Sequence, residues 1–267
     1  MTSIVIPTHK RNDKLKRLLK SIPKNKFEII VVNNNMSLAG KRNYGYKKSK
    51  GKHILFIDDD NELDFRAVEN LEKAIRRNKT GIAGMLGCYS DKRDTICDGG
   101  DTRNLTTGFT KAKHFNQKVM IWDNIFKPYE VDEVANSFMV RRSLIKKIGL
   151  FDEERFPIDL DEADLCLRAK RAGYKVVIVP NAVTFHDSIT YSRIPNFRRP
   201  KNAYYVGRNR ILFQKKHHLP LRYIPVFILS YVLCLIWRFK FKLIKHFLKG
   251  VKDGIFNIAG SKKEYQV

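Results

Sequence analysis

Short apolar runs alternate along this chain with segments whose apolar residues recur every three or four positions. Ile4 to Ile6, stopped by Pro7, predicts a strand, and Leu15, Leu18, Leu19 and Ile22 fall on one face of a helix. Phe27 to Val32 predicts the next strand, ending in Asn33-Asn34-Asn35, and a second helical unit containing Gly40, Arg42, Asn43 and Gly45 leads to Ile54-Leu55-Phe56-Ile57. Those four apolar residues, between Gly51 and a cluster of acids, suit a strand buried on both faces. Phe65, Val68, Leu71 and Ile75 mark another helix, closed near Asn78 and Gly81. From Gly87 to Tyr129 the pattern weakens into turn signals at Asp98-Gly99-Gly100-Asp101 and Thr106-Thr107-Gly108. It returns at Val131 to Val140, followed by short helices over Ser143 to Ile148 and up to Gly173, and a last buried strand from Lys175 to Val179 with His186 just beyond it. Strands alternating with helices from the first residues predict an α/β fold, a mainly parallel sheet flanked by helices.

Charge divides the chain unevenly. The net charge is +25, yet no acid lies between Asp187 and Asp253, an interval holding fifteen Lys and Arg. Within it, Tyr223 to Trp237 is nearly all apolar, and at 1.5 Å per residue a helix of that length reaches about 22 Å, short of a hydrocarbon core of about 30 Å. Arg238, Lys242, Lys245, Lys249 and Lys252 then run at helical spacing beside Trp237, Phe241, Ile244, Leu248 and Val251, the pattern of an amphipathic helix lying in a headgroup plane. Packing of these apolar residues on the preceding domain is the plainer reading, and nucleic-acid binding, without a reader motif, the weaker one. Cys88, Cys97, Cys166 and Cys234 show no paired spacing, which suits a reducing compartment. The absence of a signal-like opening points to a cytoplasmic catalytic part.

Chemistry concentrates at two acidic clusters. Asp58-Asp59-Asp60 follows the Ile54–Ile57 strand, at the end of a parallel sheet where ligands bind, and carboxylates crowded there are relieved by a divalent cation; alone they also suit a solvated turn. Asp159, Asp161, Glu162 and Asp164 crowd a helix start, where the helix dipole by itself favours acids. Neither G-x-G-x-x-G nor a P-loop occurs, so a phosphate-bearing ligand would need a metal.

Several stretches, taken in order, resemble the inverting glycosyltransferases of family 2, in particular their rhamnosyltransferase-like branch. They are Ser3-Ile4-Val5-Ile6-Pro7-Thr8, Glu28 to Asn34, Gly40-Lys41-Arg42-Asn43-Tyr44-Gly45 with Ile57-Asp58-Asp59-Asp60, the block from Val140 through Phe151-Asp152-Glu153 to Asp161-Glu162-Ala163-Asp164, and Tyr204-Tyr205-Val206-Gly207-Arg208-Asn209. The resemblance implies a GT-A fold, Rossmann-like, over residues 1–200, with a nucleotide-sugar half to about residue 100 and an acceptor half after it. Residues 201–267 then form a basic, membrane-associating helical tail. It implies that Pro7, Thr8, Asn33, Arg42, Asn43, Asp58 and Asp59 contact a nucleotide-sugar donor, and that Asp58 and Asp60, with His186, hold Mg2+ or Mn2+ on its diphosphate. It implies further that Glu162, with Asp161 beside it, is the general base toward a glycan or lipid-linked acceptor at the cytoplasmic membrane face. A nucleotidyltransferase, or a basic binding protein without catalysis, is the alternative. Asn33 stands where the family usually has Asp, the pair Asp161-Glu162 reverses the usual Glu-Asp so that Asp161 and Asp164 stay open as the base, and Asn136 stands where relatives often have Gly.

Overall fold

The computed structural model describes residues 1–9, 12–23, 25–77, 79–119, 127–187 and 199–262. Strands β1 (Thr2–Pro7), β2 (Glu28–Val32) and β3 (His53–Ile57) run parallel, joined by helices α1 (Asn12–Ser21) and α2 (Leu38–Lys48), as the alternation predicts. A short β4 (Asn61–Leu63) and α3 (Ala67–Ile75) follow the triple Asp. The sheet continues through β5 (Thr80–Tyr89), with which β6 (Ile96–Asp98) pairs; β7 (Asp101–Arg103) and β8 (Thr110–Ala112) form a separate two-stranded sheet, and β9 (Tyr129–Glu130) pairs with the last strand of the main one. Then come β10 (Ser137–Arg141), α4 (Arg142–Ile148), α5 (Asp161–Arg171) and β11 (Lys175–His186). In the order β2-β1-β3-β10-β5-β11-β4, β10 is inserted antiparallel, while β5 and β11 keep the direction of β1 to β3.

Both faces of the sheet are covered, so its strands are apolar on both sides. Ile54 and Phe56 pack with α2, α4 and α5, whereas Leu55 and Ile57 pack with α1 and α3. Two boundaries differ from the periodicity. Gly81 does not close a helix but sits in β5, every residue of which is buried; Asn78 lies outside the described residues. A Cβ at Gly81 would lie 2.7 Å from Leu144, and one at Gly84 2.7 Å from Val134, so glycine marks close packing here rather than a turn. β11 runs past Val179, through an irregularity between Val179 and Val183, and makes His186 its last residue.

The C-terminal segment forms α6 (Pro200–Lys216), a single 3-10 turn at Leu221–Tyr223, α7 (Ile224–Trp237) and α8 (Phe241–Ile255). α8 turns Leu243, Phe247, Gly250, Val251 and Gly254 inward, so of the predicted apolar stripe Val251 is buried, Ile244 half-buried, and Trp237, Phe241 and Leu248 are exposed. Glycines decide this face: a Cβ on Gly250 would fall on the Tyr204 carbonyl, and one on Gly207 would lie 2.6 Å from that of Phe247.

α6 is tied to α5 by ions. Fully buried Asp164 accepts from His217 Nε2 at 2.9 Å and lies 2.6 Å from Lys216 Nζ and 2.7 Å from Arg168. Burial opposes its charge, but the hydrogen bond from His217 and the charges of Arg168 and Lys216 prevail and hold its pKa down at about 2. Because this lies below the unfolded value, the stabilisation is complete above about pH 4 and disappears as the pH falls toward 2, amounting to about 2 kcal/mol. Urea unfolding of Asp164→Asn is therefore expected to show a deficit of that size at pH 7 that closes by pH 2; a pH-independent deficit would refute the ionic account.

Candidate active site

The carboxyl ends of β1, β2 and β3 converge as the sheet topology requires, placing Pro7 and Thr8, Asn33, and Asp58 to Asp60 along one edge. Thr8 Oγ1 donates to Asp59 Oδ2 at 2.6 Å, the His9 amide approaches the same oxygen at 3.4 Å, and Lys41 Nζ donates to the Thr8 carbonyl at 2.7 Å. Asp59 is thus buried and holds this turn together, while Asn33 is exposed at the rim. The Asp58 amide donates to the Asn136 carbonyl at 3.0 Å. Asn136 has φ +59°, the left-handed conformation in which Asn stands in for Gly.

At the centre lies Arg42, entirely buried. It donates to Asp161 Oδ2 at 2.6 Å and to Asp58 Oδ1 at 3.1 Å, and lies 2.8 Å from Glu162 Oε1. One planar guanidinium thereby joins the acids after β3 to those opening α5, which are more than a hundred residues apart. Burial pushes the Asp58 carboxyl up to about 6, against the pull of Arg42. Asp161 is raised well above the carboxylate range, by burial and then by Glu162. Asn43 is also buried, its amide bonded both ways to the Phe151 backbone at 2.9 and 3.0 Å, so it fixes the loop that carries Phe151.

His186 Nε2 lies 3.4 Å from Asp60 Oδ1. Burial disfavours its cation, yet the hydrogen bond and charge of Asp60, with Asp58 behind it, raise its pKa. Among the described residues no three His, Cys, Asp or Glu side chains converge closely enough to enclose a metal. An imidazole and a carboxylate in contact, with a second carboxylate nearby, nonetheless suit a hard cation that takes its other ligands from a diphosphate and water.

α5 starts from strained backbone: Asp159 and Leu160 have φ +65° and +63°, a conformation costing about 1 to 3 kcal/mol for each such residue. Asn209 of α6, fully buried, donates to the carbonyls of Ile158 and Asp159 at 2.7 and 2.9 Å, and Arg208 donates to that of Arg155 at 2.8 Å. The motif ending in Arg208-Asn209 therefore clamps the loop that presents Glu162, a role no spacing in the sequence reveals. Beyond Glu162 opens a cavity of about 540 Å3, walled on one side by residues of β7, β8 and the strand-loop before β10, and on the other by α6 and α7.

A carboxylate edge on an α/β sheet, joined through one arginine to a carboxylate facing a cavity, suits the transfer of a group from a bound donor to an acceptor. The chain belongs to glycosyltransferase like family 2, whose pattern matches residues 3–202. It is 26% identical to the dTDP-rhamnosyl transferase RfbF of Shigella flexneri over 96% of this chain and 87% of that protein. It is 24% identical to the probable glycosyltransferase YdaM of Bacillus subtilis (strain 168) over 69% of this chain, spanning half of that protein. The fold is similar to the mannosyltransferase PcManGT of Pyrobaculum calidifontis in complex with GDP-Man and Mn2+, with TM-score 0.56 and 10% identity over 96% of this chain and 87% of that one. It is also similar to GalNAc-T7 with UDP, GalNAc and Mn2+, with TM-score 0.56 and 17% identity over 80% of this chain and 49% of that one.

Proposed function

We propose that this glycosyltransferase inverts the anomeric centre as it passes a sugar from a nucleotide-sugar donor to a glycan or lipid-linked acceptor. The observation that carries the reading is Arg42, which holds Asp58 at 3.1 Å and Glu162 at 2.8 Å and so sets a donor edge against an acceptor cavity. Thr8, Asn33 and the Asp58–Asp59 turn position the nucleotide half, with Lys41 as an added cation beside Asp59. Glu162 takes the acceptor hydroxyl proton as that oxygen attacks the anomeric carbon, and the bond from that carbon to the diphosphate oxygen breaks. Asp161 and Arg42 orient Glu162, while Asp164, engaged by Arg168, Lys216 and His217, is the poorer candidate for the base.

Asp60 and His186, with Asp58, would hold Mg2+ or Mn2+; PcManGT and GalNAc-T7 were each solved with Mn2+. Such a cation supplies Lewis-acid stabilisation of the charge that develops on the departing diphosphate. Chelation with EDTA, or Asp60→Ala, is expected to lower nucleoside diphosphate release from the cognate donor by about 100-fold or more. A panel of nucleotide sugars assayed with and without Mn2+ checks this and identifies the donor. Undiminished release in the chelator would remove the metal from the reading, and release of pyrophosphate would favour a nucleotidyltransferase.

No helix among the described residues is long and apolar enough to cross a membrane. A reading of peripheral membrane attachment starts from α7, whose outer face presents Val226, Leu229, Leu233, Ile236 and Trp237. Trp237 is 73% and Phe239 82% exposed, beside Lys240, Lys242, Lys245 and Lys249. Exposed apolar side chains followed in the chain by exposed lysines suit an anionic bilayer, each cation near its surface adding about 1 kcal/mol.

A further inference from the structure

The cavity beyond Glu162 is bounded in part by residues of α6 and α7 that lie after residue 202, where the family pattern ends. Phe227, Ser230 and Tyr231 of α7 form one wall, and Phe227 and Tyr231 offer it aromatic surface. Asp98, Asp101, Glu133, Asp159 and Glu162 line the remainder, with Arg103 and Arg210 as the two cations. Arg103 is matched by Glu133, to which it donates through Nε and, at 3.0 Å, through a terminal nitrogen. Arg210 differs. The residue is 9% exposed, it donates through one terminal nitrogen to the Thr107 carbonyl at 3.0 Å, and its guanidinium lies over the rings of Phe109 and Phe227 at 5.6 and 5.0 Å. Its buried Nε meets no acceptor among the described residues. A buried N–H without a partner costs free energy that a ligand oxygen would recover.

Even with Glu162 paired to Arg42 and Glu133 to Arg103, Asp98, Asp101 and Asp159 face one further guanidinium, that of Arg210, so the space is net negative and an acceptor carrying a phosphate or carboxylate here would meet repulsion. A sugar ring without charge meets none. Its hydroxyls donate to carboxylates and accept from Arg210, and the apolar face of the ring covers aromatic carbon. We infer that α6 and α7 complete an acceptor subsite for an uncharged sugar ring, with Arg210 as its hydrogen-bond donor and the α7 aromatics as its apolar wall. The inference rests on the transferase reading for Glu162 as the base, and it assigns acceptor choice to the C-terminal helices rather than to the donor edge. Any charged carrier group of the acceptor then lies outside the cavity.

Saturation-transfer NMR on the full chain tests this directly, without turnover. The probes are methyl glycosides of glucose, galactose, mannose, rhamnose and N-acetylglucosamine, set against methyl glucuronide and glucose 6-phosphate. Ser230→Trp and Thr110→Trp fill the cavity from opposite walls at exposed positions, so the fold of one does not depend on the other. At least one neutral glycoside is expected to bind the wild type, ten-fold or more tightly than either anion, and to lose at least ten-fold in both variants, while nucleoside diphosphate binding stays unchanged. Anions that bind as well as neutral glycosides, absence of any glycoside binding, or binding indifferent to both tryptophans would overturn the inference. Failure of every nucleoside diphosphate to bind would count instead against the donor reading, and the glycoside comparison would still decide this one.

Discussion

Replacing Arg42 by methionine is expected to destabilise the protein by about 3 to 5 kcal/mol at neutral pH, the cost of leaving buried charge without its partner. Asp161 and Arg42 are both wholly buried, and Asp58 and Glu162 are each mostly so. Methionine keeps much of the contact with Phe138 and Phe151, over which the guanidinium now lies, and removes only the charge and the donors. Carboxylates that face one another without a cation take up protons more readily. Asp161 is already raised in the wild type, and in the variant it binds its proton over a wider range than in the unfolded chain. The folded state then holds more protons than the unfolded state, so stability falls as pH rises and the deficit shrinks as pH is lowered. Urea midpoints at pH 8 and pH 5 read this sign. Arg42→Lys restores one charge but not the fork that reaches three acids, and is expected to recover only part of the loss. An Arg42→Met variant as stable as the wild type at pH 8 would show that the acids are not held by charge.

Much of this centre was legible in the sequence, because its parts sit where periodicity changes. The Ile54–Ile57 run, apolar on both faces, gives the buried strand, and its end gives the triple Asp its place at the sheet edge. Acids at the start of α5 were visible for the same reason. Their division of labour was not. Asp164 serves α6, Asp161 serves Arg42, and Glu162 faces the cavity, distinctions set by which side of the helix each residue occupies against partners distant in sequence. β5 was hidden because Gly81 and Gly87 read as breaks in the pattern, whereas they and Gly84 serve close packing. The wall formed by α7 was hidden differently. Its residues are apolar, and an apolar stripe reads alike whether it meets lipid, a helix or a sugar; in this chain α7 buries Ile224 and Leu235, lines the cavity with Phe227 and Tyr231, and leaves Leu229 and Leu233 exposed.

Glu162→Gln is expected to lower kcat by about 100- to 10,000-fold, the range for loss of a positioned general base, with donor binding unchanged. Glutamine keeps an oxygen for Arg42 to donate to at the 2.8 Å position, so the centre is not expected to rearrange. The amide cannot accept the acceptor proton, and the hydroxyl must then attack without assistance. The loss should therefore depend on the acceptor: a hydroxyl made more acidic by fluorine on the neighbouring carbon needs a base less, and the ratio of wild-type to variant rates should narrow with it. Asp161→Asn probes the other member of the pair. Asp161 is fully buried against Arg42, so its replacement should act first on stability, as an Arg42 change does, and its residual activity should not depend on acceptor acidity. Single-turnover rates with a matched series of fluorinated and unfluorinated acceptors, for both variants, separate the two roles. Acceptor-dependent loss in Asp161→Asn with none in Glu162→Gln would move the base from the carboxylate facing the cavity to the buried one, and a proton path from the cavity to Asp161 would then have to open past Arg42.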